Sequence, residues 1–254
     1  MASKELTAAL EAARAAAAVI NEYYRHNPSV RIKPDHSPVT EADMRAEEII
    51  RAALARKFPG YGFYGEETGR HAPGAESIWL VDPIDGTKSF VREAPFFSTQ
   101  IALMRAGELV LGVSNASAYG ELAWAERGGG AYLNDQRIRV SAVATLEQAF
   151  LSTGNLKRLT QPPHWGRLGA LFARVGRVRG YGDFVHYHLL ARGSLDVVIE
   201  SDVNILDIAA LSVIVREAGG NFTDITGAPV AINTTSVLAT NGLLHTLVLA
   251  ALAR

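Results

Sequence analysis

The chain contains 254 residues, of which 48% are hydrophobic and 20% are charged, and its formal net charge is -1. This length can bury a substantial core, in one large domain or two smaller ones. The charges are mixed and show no clustered basic excess, so we expect no nucleic-acid partner. The sequence has no cysteine, which excludes disulfides, thiolate zinc sites and cysteine nucleophiles.

Neither end of the chain predicts a membrane segment or an export signal. The alanine-rich stretch 8–20 is interrupted by Glu11 and Arg14, unlike the apolar region of a signal peptide. The apolar stretch 243–252 is about half the length needed to cross a bilayer, and it predicts a buried terminal helix. Together with the absence of cysteine, these features predict a cytoplasmic protein with no membrane partner.

The first half of the chain predicts two helices followed by a meandering sheet. The pattern predicts a helix over 4–24, capped by Ser3, and a second over 40–58, with Thr40 as N-cap and Asp43 three residues later. Predicted strands follow at 61–64, 77–81, 98–105, 109–114 and 122–126. Gly107 marks a hairpin turn between the third and fourth of these.

The second half shows helices and strands in crossover order. Apolar spacing predicts helices at 163–174, 183–191, 205–218 and 242–252, and strands near 148–152, 195–200, 221–224 and 236–240. The whole pattern favours an α+β or mixed α/β layered fold. We expect two subdomains, 1–140 and 141–254, which share an interface because no Pro/Gly-rich linker separates them.

The most informative stretch is an apolar strand that runs directly into two aspartates. Asp82 and Asp85 are separated only by Pro83 and Ile84, and Pro83 biases Asp82 towards an extended conformation. Two anions held close repel unless a cation lies between them. Carboxylates and a backbone carbonyl are hard oxygen ligands that suit Mg²⁺. An ordinary Asp-Pro turn with a helix cap is the simpler alternative.

Other segments add acidic and phosphate-binding candidates. Glu66 follows the short strand 61–64, and Asp207 lies in the first turn of an apolar helix. Their simpler interpretations are a solvated surface glutamate and a partner of the helix dipole. Gly86 permits close approach of the backbone to a ligand, and the amides of Gly86 and Thr87 at a helix start could hold a phosphate.

Taken in order, these segments resemble the inositol monophosphatase superfamily, the lithium-sensitive Mg²⁺ phosphatases. The matching pieces are 37–43, 65–67, 82–87, and Leu206-Asp207 followed by 217–220. The resemblance covers roughly residues 10–240, and the combination in order is specific although each part alone is not. The family has Trp where this chain has Leu206, a packing position rather than a ligand.

The resemblance implies a fold and a set of site residues. The fold would be a five-layer αβαβα sandwich of the inositol monophosphatase/fructose-1,6-bisphosphatase type, in a homodimer. Two or three Mg²⁺ ions would be held by Glu66, Asp82, the Ile84 carbonyl, Asp85 and Asp207. The catalytic group would be Thr87, Asp43 and Glu66, with Thr87 and Asp43 orienting and deprotonating the attacking water. The amides of Gly86 and Thr87 would bind the phosphate, and most ligands would belong to residues 1–140.

Several local features look like the histidinol-phosphatase branch of the superfamily. They are Lys88-Ser89-Phe90, the stretch 180–184 and the run 207–220. Histidinol phosphate carries a cationic amine and an imidazole, which Asp183 and Glu200 could meet with charge-assisted hydrogen bonds. The simpler alternatives are a helix N-cap for Asp183 and an exposed strand-end residue for Glu200.

Three functions compete on this evidence. The first is hydrolysis of a small phosphate monoester, L-histidinol phosphate to L-histidinol, by direct attack of metal-activated water. The second is an inositol-1-phosphate or broad sugar-phosphate phosphatase. The third, a non-catalytic binding protein that kept the scaffold, is disfavoured because all the implied ligands and Thr87 are present. His186 and His188 are two residues apart, which puts them on different sides of a helix and favours core roles. A position of one of them near the substrate pocket is the alternative.

Overall fold

The computed structural model describes residues 2–26, 30–32 and 38–253; Ser37, part of the family-like segment, lies outside them. The helices are α1 (Lys4–Tyr23), α2 (Glu41–Lys57), α3 (Thr87–Val91), α4 (His164–Phe172), α5 (Asp183–Ala191), α6 (Ile205–Glu217) and α7 (His245–Ala253). The strands are β1 (Val30–Ile32), β2 (Pro38–Thr40), β3 (Gly62–Gly65), β4 (Gly69–His71), β5 (Ser77–Asp85), β6 (Ser98–Arg105), β7 (Glu108–Ala116), β8 (Glu121–Glu126), β9 (Gly130–Leu133), β10 (Gln136–Ile138), β11 (Phe150–Thr153), β12 (Arg177–Arg179), β13 (Val197–Ser201), β14 (Asn221–Thr223) and β15 (Ser236–Thr240).

The strands form three sheets. β1 and β2 pair as an antiparallel ribbon. The second sheet has the order β10-β9-β8-β7-β6-β5-β3-β4, in which β3 and β5 are parallel. The third has the order β12-β11-β13-β15-β14, in which β11 is parallel to both of its neighbours. The eight-stranded sheet is built from residues before 140 and the five-stranded sheet from residues after it. The division into two subdomains remains a prediction.

Alternate side chains of each sheet enter different cores, as strand geometry requires. In the eight-stranded sheet, Trp79 and Val81 pack with α1 and α2, whereas Leu80 packs with α5 and α6. In the five-stranded sheet, Val198 joins that same central core and Val197 packs with α4 and α7. The layers are therefore α1/α2, eight strands, α5/α6, five strands and α4/α7, which confirms the predicted five-layer αβαβα sandwich.

The helix caps and the apolar faces explain where the main helices lie. The Ser3 hydroxyl accepts the Leu6 amide at 2.9 Å, and Thr40 caps α2, so both predicted N-caps are confirmed. α6 is apolar on all sides because it is enclosed between two sheets. α7 is less buried than predicted, since Leu247 is 48% exposed.

Several of the short strands were not predicted. β1, β4, β10 and β12 each have three residues with mostly exposed side chains, so no alternation of apolar residues marks them. β5 continues four residues beyond its predicted end and includes both aspartates. Within the described residues, no helix combines the length and apolar character required to traverse a bilayer.

Candidate metal centre and active site

A β-bulge brings Asp82 and Asp85 to the same face of β5. Asp82 pairs with Gln100 and Asp85 with Ser98, so two residues of β5 oppose one residue of β6. In a regular strand, residues three apart point to opposite faces, and the extra residue of a bulge cancels that difference. Pro83, which has no amide to donate, occupies the bulge, where proline is tolerated in a sheet. The Asp82 Oδ1 accepts the Ile84 amide at 2.9 Å.

Glu66 reaches the same place through parallel strand pairing. β3 and β5 run side by side in the same direction, with Gly65 opposite Val81. The Glu66 amide donates to the Val81 carbonyl at 3.1 Å, so Glu66 leaves its strand next to Asp82. The Glu66 carboxylate hydrogen-bonds with Asp82 and adds to the effect of burial in raising the pKa of Asp82. The interpretation of Glu66 as a solvated surface residue is therefore wrong.

Asp207 is both a helix-capping residue and a member of the acidic cluster. It is the third residue of α6 and completes a capping box with Asn204. Its Oδ2 accepts the Asn204 amide at 2.8 Å and its Oδ1 accepts the Asn204 side-chain amide at 2.7 Å. The alternative of a simple helix-terminus partner thus describes part of its role.

The structure brings these carboxylates together. One oxygen from each of Asp82, Asp85 and Asp207 lies within 4.8 Å of the others. Burial, followed by repulsion from its acidic neighbours, raises the pKa of Asp82, and the same causes raise that of Asp85. Burial also raises the pKa of Asp207, to about 7, with Glu66 and Glu200 adding to the effect. Such an all-oxygen, mutually repelling set fits a divalent cation, which would relieve the repulsion.

A second hydrogen-bonded group lies beside the cluster. The Thr87 hydroxyl is 3.3 Å from Asp43 Oδ1 and 3.0 Å from the Ile84 carbonyl. Asp43 Oδ2 accepts the amide and hydroxyl of Thr40, at 2.7 and 2.5 Å. Burial raises the pKa of Asp43 against the effect of these Thr40 bonds, and Glu66 raises it further. Thr87, Asp43 and the Ile84 carbonyl therefore meet, as the resemblance implied.

Gly86 makes the turn from β5 into α3. Its φ of 91° lies in the left-handed region, which glycine adopts without strain. A Cβ at this position would lie 2.6 Å from the Phe96 carbonyl oxygen, so a larger residue would also clash. The backbone of Gly86 and Thr87 thus directly follows Asp85, at the start of a short helix.

Asp183 and Glu200 lie near the cluster, but neither has the simpler role considered from the sequence. Gly182, rather than Asp183, is the N-cap of α5, and Asp183 has a φ of 46°. Burial and the nearby Glu200 raise the pKa of Asp183 to about 6, whereas His186 and Lys88 act to lower it. Glu200 is 3% exposed, so the interpretation as an exposed strand-end residue is wrong.

The two histidines have different contact partners, in agreement with a spacing that puts them on different sides of the helix. His186 Nε2 lies 3.1 Å from Glu200. His188 Nδ1 lies 2.8 Å from Glu121, and its Nε2 lies 2.9 Å from the Ser114 hydroxyl. Both rings are buried, but only that of His186 contacts a predicted substrate-binding residue.

Glu47 was missed in the sequence. It is fully buried in α2, and its two oxygens accept the amides of Glu67 and Thr68, both at 2.8 Å. These bonds hold the turn that directly follows Glu66. The available signal was its position four residues after Asp43, which places both carboxylates on the same face of α2.

Known proteins resemble this chain in sequence and in structure. The sequence profile of the inositol monophosphatase family matches residues 1–254. The histidinol-phosphatase of Mycobacterium tuberculosis is 43% identical over 218 residues, which covers 84% of each protein. The inositol-1-monophosphatase of Mesorhizobium japonicum is 37% identical over 226 residues, covering 85% of this chain and 82% of that protein. The crystal structure of the extragenic suppressor protein suhB from Bartonella henselae superposes with a TM-score of 0.91 at 32% identity and covers 99% of both chains. This chain belongs to the inositol monophosphatase family.

Proposed function

We propose that this phosphatase is Mg²⁺-dependent and that it hydrolyses L-histidinol phosphate to L-histidinol by direct attack of water. Membership of the family makes the chain a phosphatase of phosphate monoesters. The observation that carries the proposal is the convergence of Asp82, Asp85 and Asp207, with Glu66 beside them. The hydroxyl–carboxylate pair of Thr87 and Asp43 adjoins this cluster.

The donor set suits two or three Mg²⁺ ions. The ligands would be the carboxylates of Glu66, Asp82, Asp85 and Asp207 and the carbonyl of Ile84. The Ile84 carbonyl has two lone pairs, so it can accept the Thr87 hydroxyl and still serve as a ligand. When bound, Mg²⁺ would neutralise phosphate oxygens, lower the pKa of a water molecule and stabilise the leaving alkoxide.

The side chains next to the cluster would handle the attacking water. Thr87 donates its single hydroxyl hydrogen to Asp43 or Ile84, which leaves its oxygen lone pairs to accept a water hydrogen. Asp43 would take the proton through Thr87. Because burial and Glu66 raise the pKa of Asp43, this carboxylate is a stronger base than an exposed aspartate. The amides of Gly86 and Thr87 would bind the phosphate.

Two acidic side chains favour a cationic alcohol as the leaving group. Asp183 and Glu200 lie close enough that Glu200 raises the pKa of Asp183, and an ammonium group between them would relieve that repulsion. The 43% identity to a histidinol-phosphatase supports the same substrate. The alternative is an inositol-1-phosphate or broad sugar-phosphate phosphatase, which the 37% identity to an inositol-1-monophosphatase favours.

A phosphate-release assay over a small panel of monoesters tests the proposal. Histidinol phosphate, inositol 1-phosphate and glycerol phosphate would be compared with and without Mg²⁺. We expect no turnover after chelation and the highest kcat/KM for histidinol phosphate. Equal kcat/KM values for histidinol phosphate and inositol 1-phosphate would overturn the substrate assignment. Metal-independent turnover, or no phosphate release from any monoester, would overturn the mechanism.

A homodimer and a cytoplasmic location also belong to the proposal. The dimer follows from the family resemblance, and sedimentation velocity of the purified protein tests it. The location is supported by the lack of cysteine, and fractionation of the source cells tests it.

A further inference from the structure

The carboxylate of Glu200 accepts hydrogen bonds from two buried side chains and one backbone amide. His186 Nε2 lies 3.1 Å and the Tyr187 hydroxyl 2.8 Å from Oε2, and the Asn155 amide lies 3.2 Å from Oε1. The side chains of His186 and Tyr187 are both buried. A Cβ at Gly154 would come within 1.9 Å of Oε1, so only glycine lets the backbone pass this close.

The contacts on each side of the His186 ring determine which nitrogen donates to Glu200 and how the ring is oriented. The Glu200 carboxylate only accepts, so His186 Nε2 carries the hydrogen of this bond. On the other side, Nδ1 lies 3.4 Å from the Ser152 hydroxyl. The Ser152 oxygen also accepts the Tyr181 backbone amide at 3.1 Å, so Ser152 is itself held in place beside the ring. The ring orientation is thus set from both sides.

These donors occupy most of the hydrogen-bond acceptor sites of the Glu200 carboxylate. An ionised carboxylate has about four lone-pair sites. Within the described part of the chain, His186 and Tyr187 occupy two sites at Oε2, and Asn155 occupies one at Oε1. Oε1 therefore has the capacity to accept one further hydrogen bond. Burial alone would raise the pKa of Glu200, but His186 and the hydrogen bonds lower it overall.

We propose that His186 is a positioning residue for substrate selection, which holds Oε2 of Glu200 so that Oε1 receives the ammonium group of the substrate. This inference rests on the proposed function, because Glu200 must bind a cationic monoester. A purely structural role predicts that loss of His186 lowers stability and affects all substrates alike. A positioning role predicts a change in selectivity between cationic and uncharged monoesters.

The test separates KM from kcat for two substrates. Histidinol phosphate carries the amine, and 4-nitrophenyl phosphate has no hydrogen-bond donor for Glu200. We expect His186→Leu to raise KM for histidinol phosphate about tenfold, as for the loss of a hydrogen bond to a charged group. The KM of the same variant for 4-nitrophenyl phosphate should change less than about twofold, the usual effect of a substitution that removes no contact with the substrate. His186→Gln keeps a donor near the Nε2 position and should restore the low KM.

His188→Gln is the matched control. His188 lies on the same helix and is equally buried, but it contacts Glu121 and Ser114. The His188→Gln variant should have a lower melting temperature but unchanged selectivity between the two substrates. An equal rise in KM for both substrates in His186→Leu, or no rise for either, would overturn the inference. If His186→Leu does not fold, Tyr187→Phe decides, since it removes only the second donor to Oε2. Unchanged selectivity in Tyr187→Phe would then overturn it.

Failure of the proposed function is distinguishable from failure of this inference. If the wild-type protein cleaves histidinol phosphate no better than 4-nitrophenyl phosphate, the proposed substrate is wrong and the inference falls with it. If the wild-type protein discriminates and His186→Leu discriminates equally well, only the role of His186 is wrong.

Discussion

The Thr87 hydroxyl lies 3.3 Å from Asp43 Oδ1, although 44 positions separate the two residues in the chain. Thr40 occupies the other oxygen of Asp43 through its amide and its hydroxyl. The capping box of α2 thereby orients Asp43, and Oδ1 is the oxygen directed to Thr87. A motif that begins a helix in this way also places a carboxylate beside the acidic cluster.

Replacement of the Thr87 hydroxyl should stop turnover without unfolding the protein. We expect Thr87→Val to lower kcat about 100-fold or more, the usual effect of losing general acid–base assistance. Thr87→Ser keeps the hydroxyl and should retain most of the activity. Steady-state kinetics with the preferred substrate check this, with melting temperature as the folding control. A Thr87→Val variant as active as Thr87→Ser would contradict the role of the hydroxyl.

Asp85→Asn should abolish Mg²⁺-dependent turnover. The amide is similar in shape but lacks the charge that attracts a divalent cation. Without metal, the same change should raise the melting temperature at neutral pH, because it removes repulsion from Asp207 and its neighbours. Kinetics and thermal melts in chelator check the two effects. Full Mg²⁺-dependent activity in this variant would contradict the metal assignment.

The metal-free protein should lose stability as pH rises towards 7. The pKa of Asp207 is raised from 3.8 to about 7, so the folded protein keeps a proton that the unfolded chain has lost. This contribution is fully present below pH 3.8 and is lost as pH rises through about 7. Bound Mg²⁺ displaces the proton, so the rise in melting temperature on adding Mg²⁺ should be larger at pH 7 than at pH 5.

Other groups titrate in this pH range, and a comparison of the wild-type protein with Asp207→Asn separates their contribution from that of Asp207. The pKa of His188 is lowered, chiefly by burial, so its effect has the opposite sign below its ordinary value of 6.5. The difference in melting temperature between wild-type and Asp207→Asn protein in chelator removes that contribution. We expect the difference to change steadily between pH 5 and 7, and a constant difference would show that Asp207 does not titrate there.

Glu47→Ala should weaken both the fold and metal binding. The change leaves the amides of Glu67 and Thr68 without their carboxylate acceptor. We expect the free energy of unfolding to fall by about 2–4 kcal/mol. Because the affected turn follows Glu66, Mg²⁺ affinity should fall about 10-fold or more, as for other groups that support ligands. Chemical denaturation and Mg²⁺ titration check these effects. The neighbouring Glu48 is exposed, so Glu48→Ala is the control and should change neither.

Much of the fold could be predicted because local signals repeat along the chain. Thr40 and Asp43 form a capping box that is visible as a spacing in the sequence, and the apolar run of α6 predicts an enclosed helix. The short edge strands could not be predicted, since three exposed residues carry no period. The burial of Glu200 was not predicted, because the residues that donate hydrogen bonds to it, His186 and Tyr187, lie on another element.

The sequence by itself determined which groups are present: the acidic residues, the caps, the turn glycine and the order in which they occur. Only the tertiary structure decided that these groups meet. A bulge turns Asp85 to the face of Asp82, and parallel pairing places Glu66 beside them. The start of α6, which follows a strand of the five-stranded sheet, brings Asp207 to the same place. The physical reason is that local conformation depends on neighbours in the chain, whereas distances between residues 66, 82 and 207 depend on strand pairing and on helices packed between sheets.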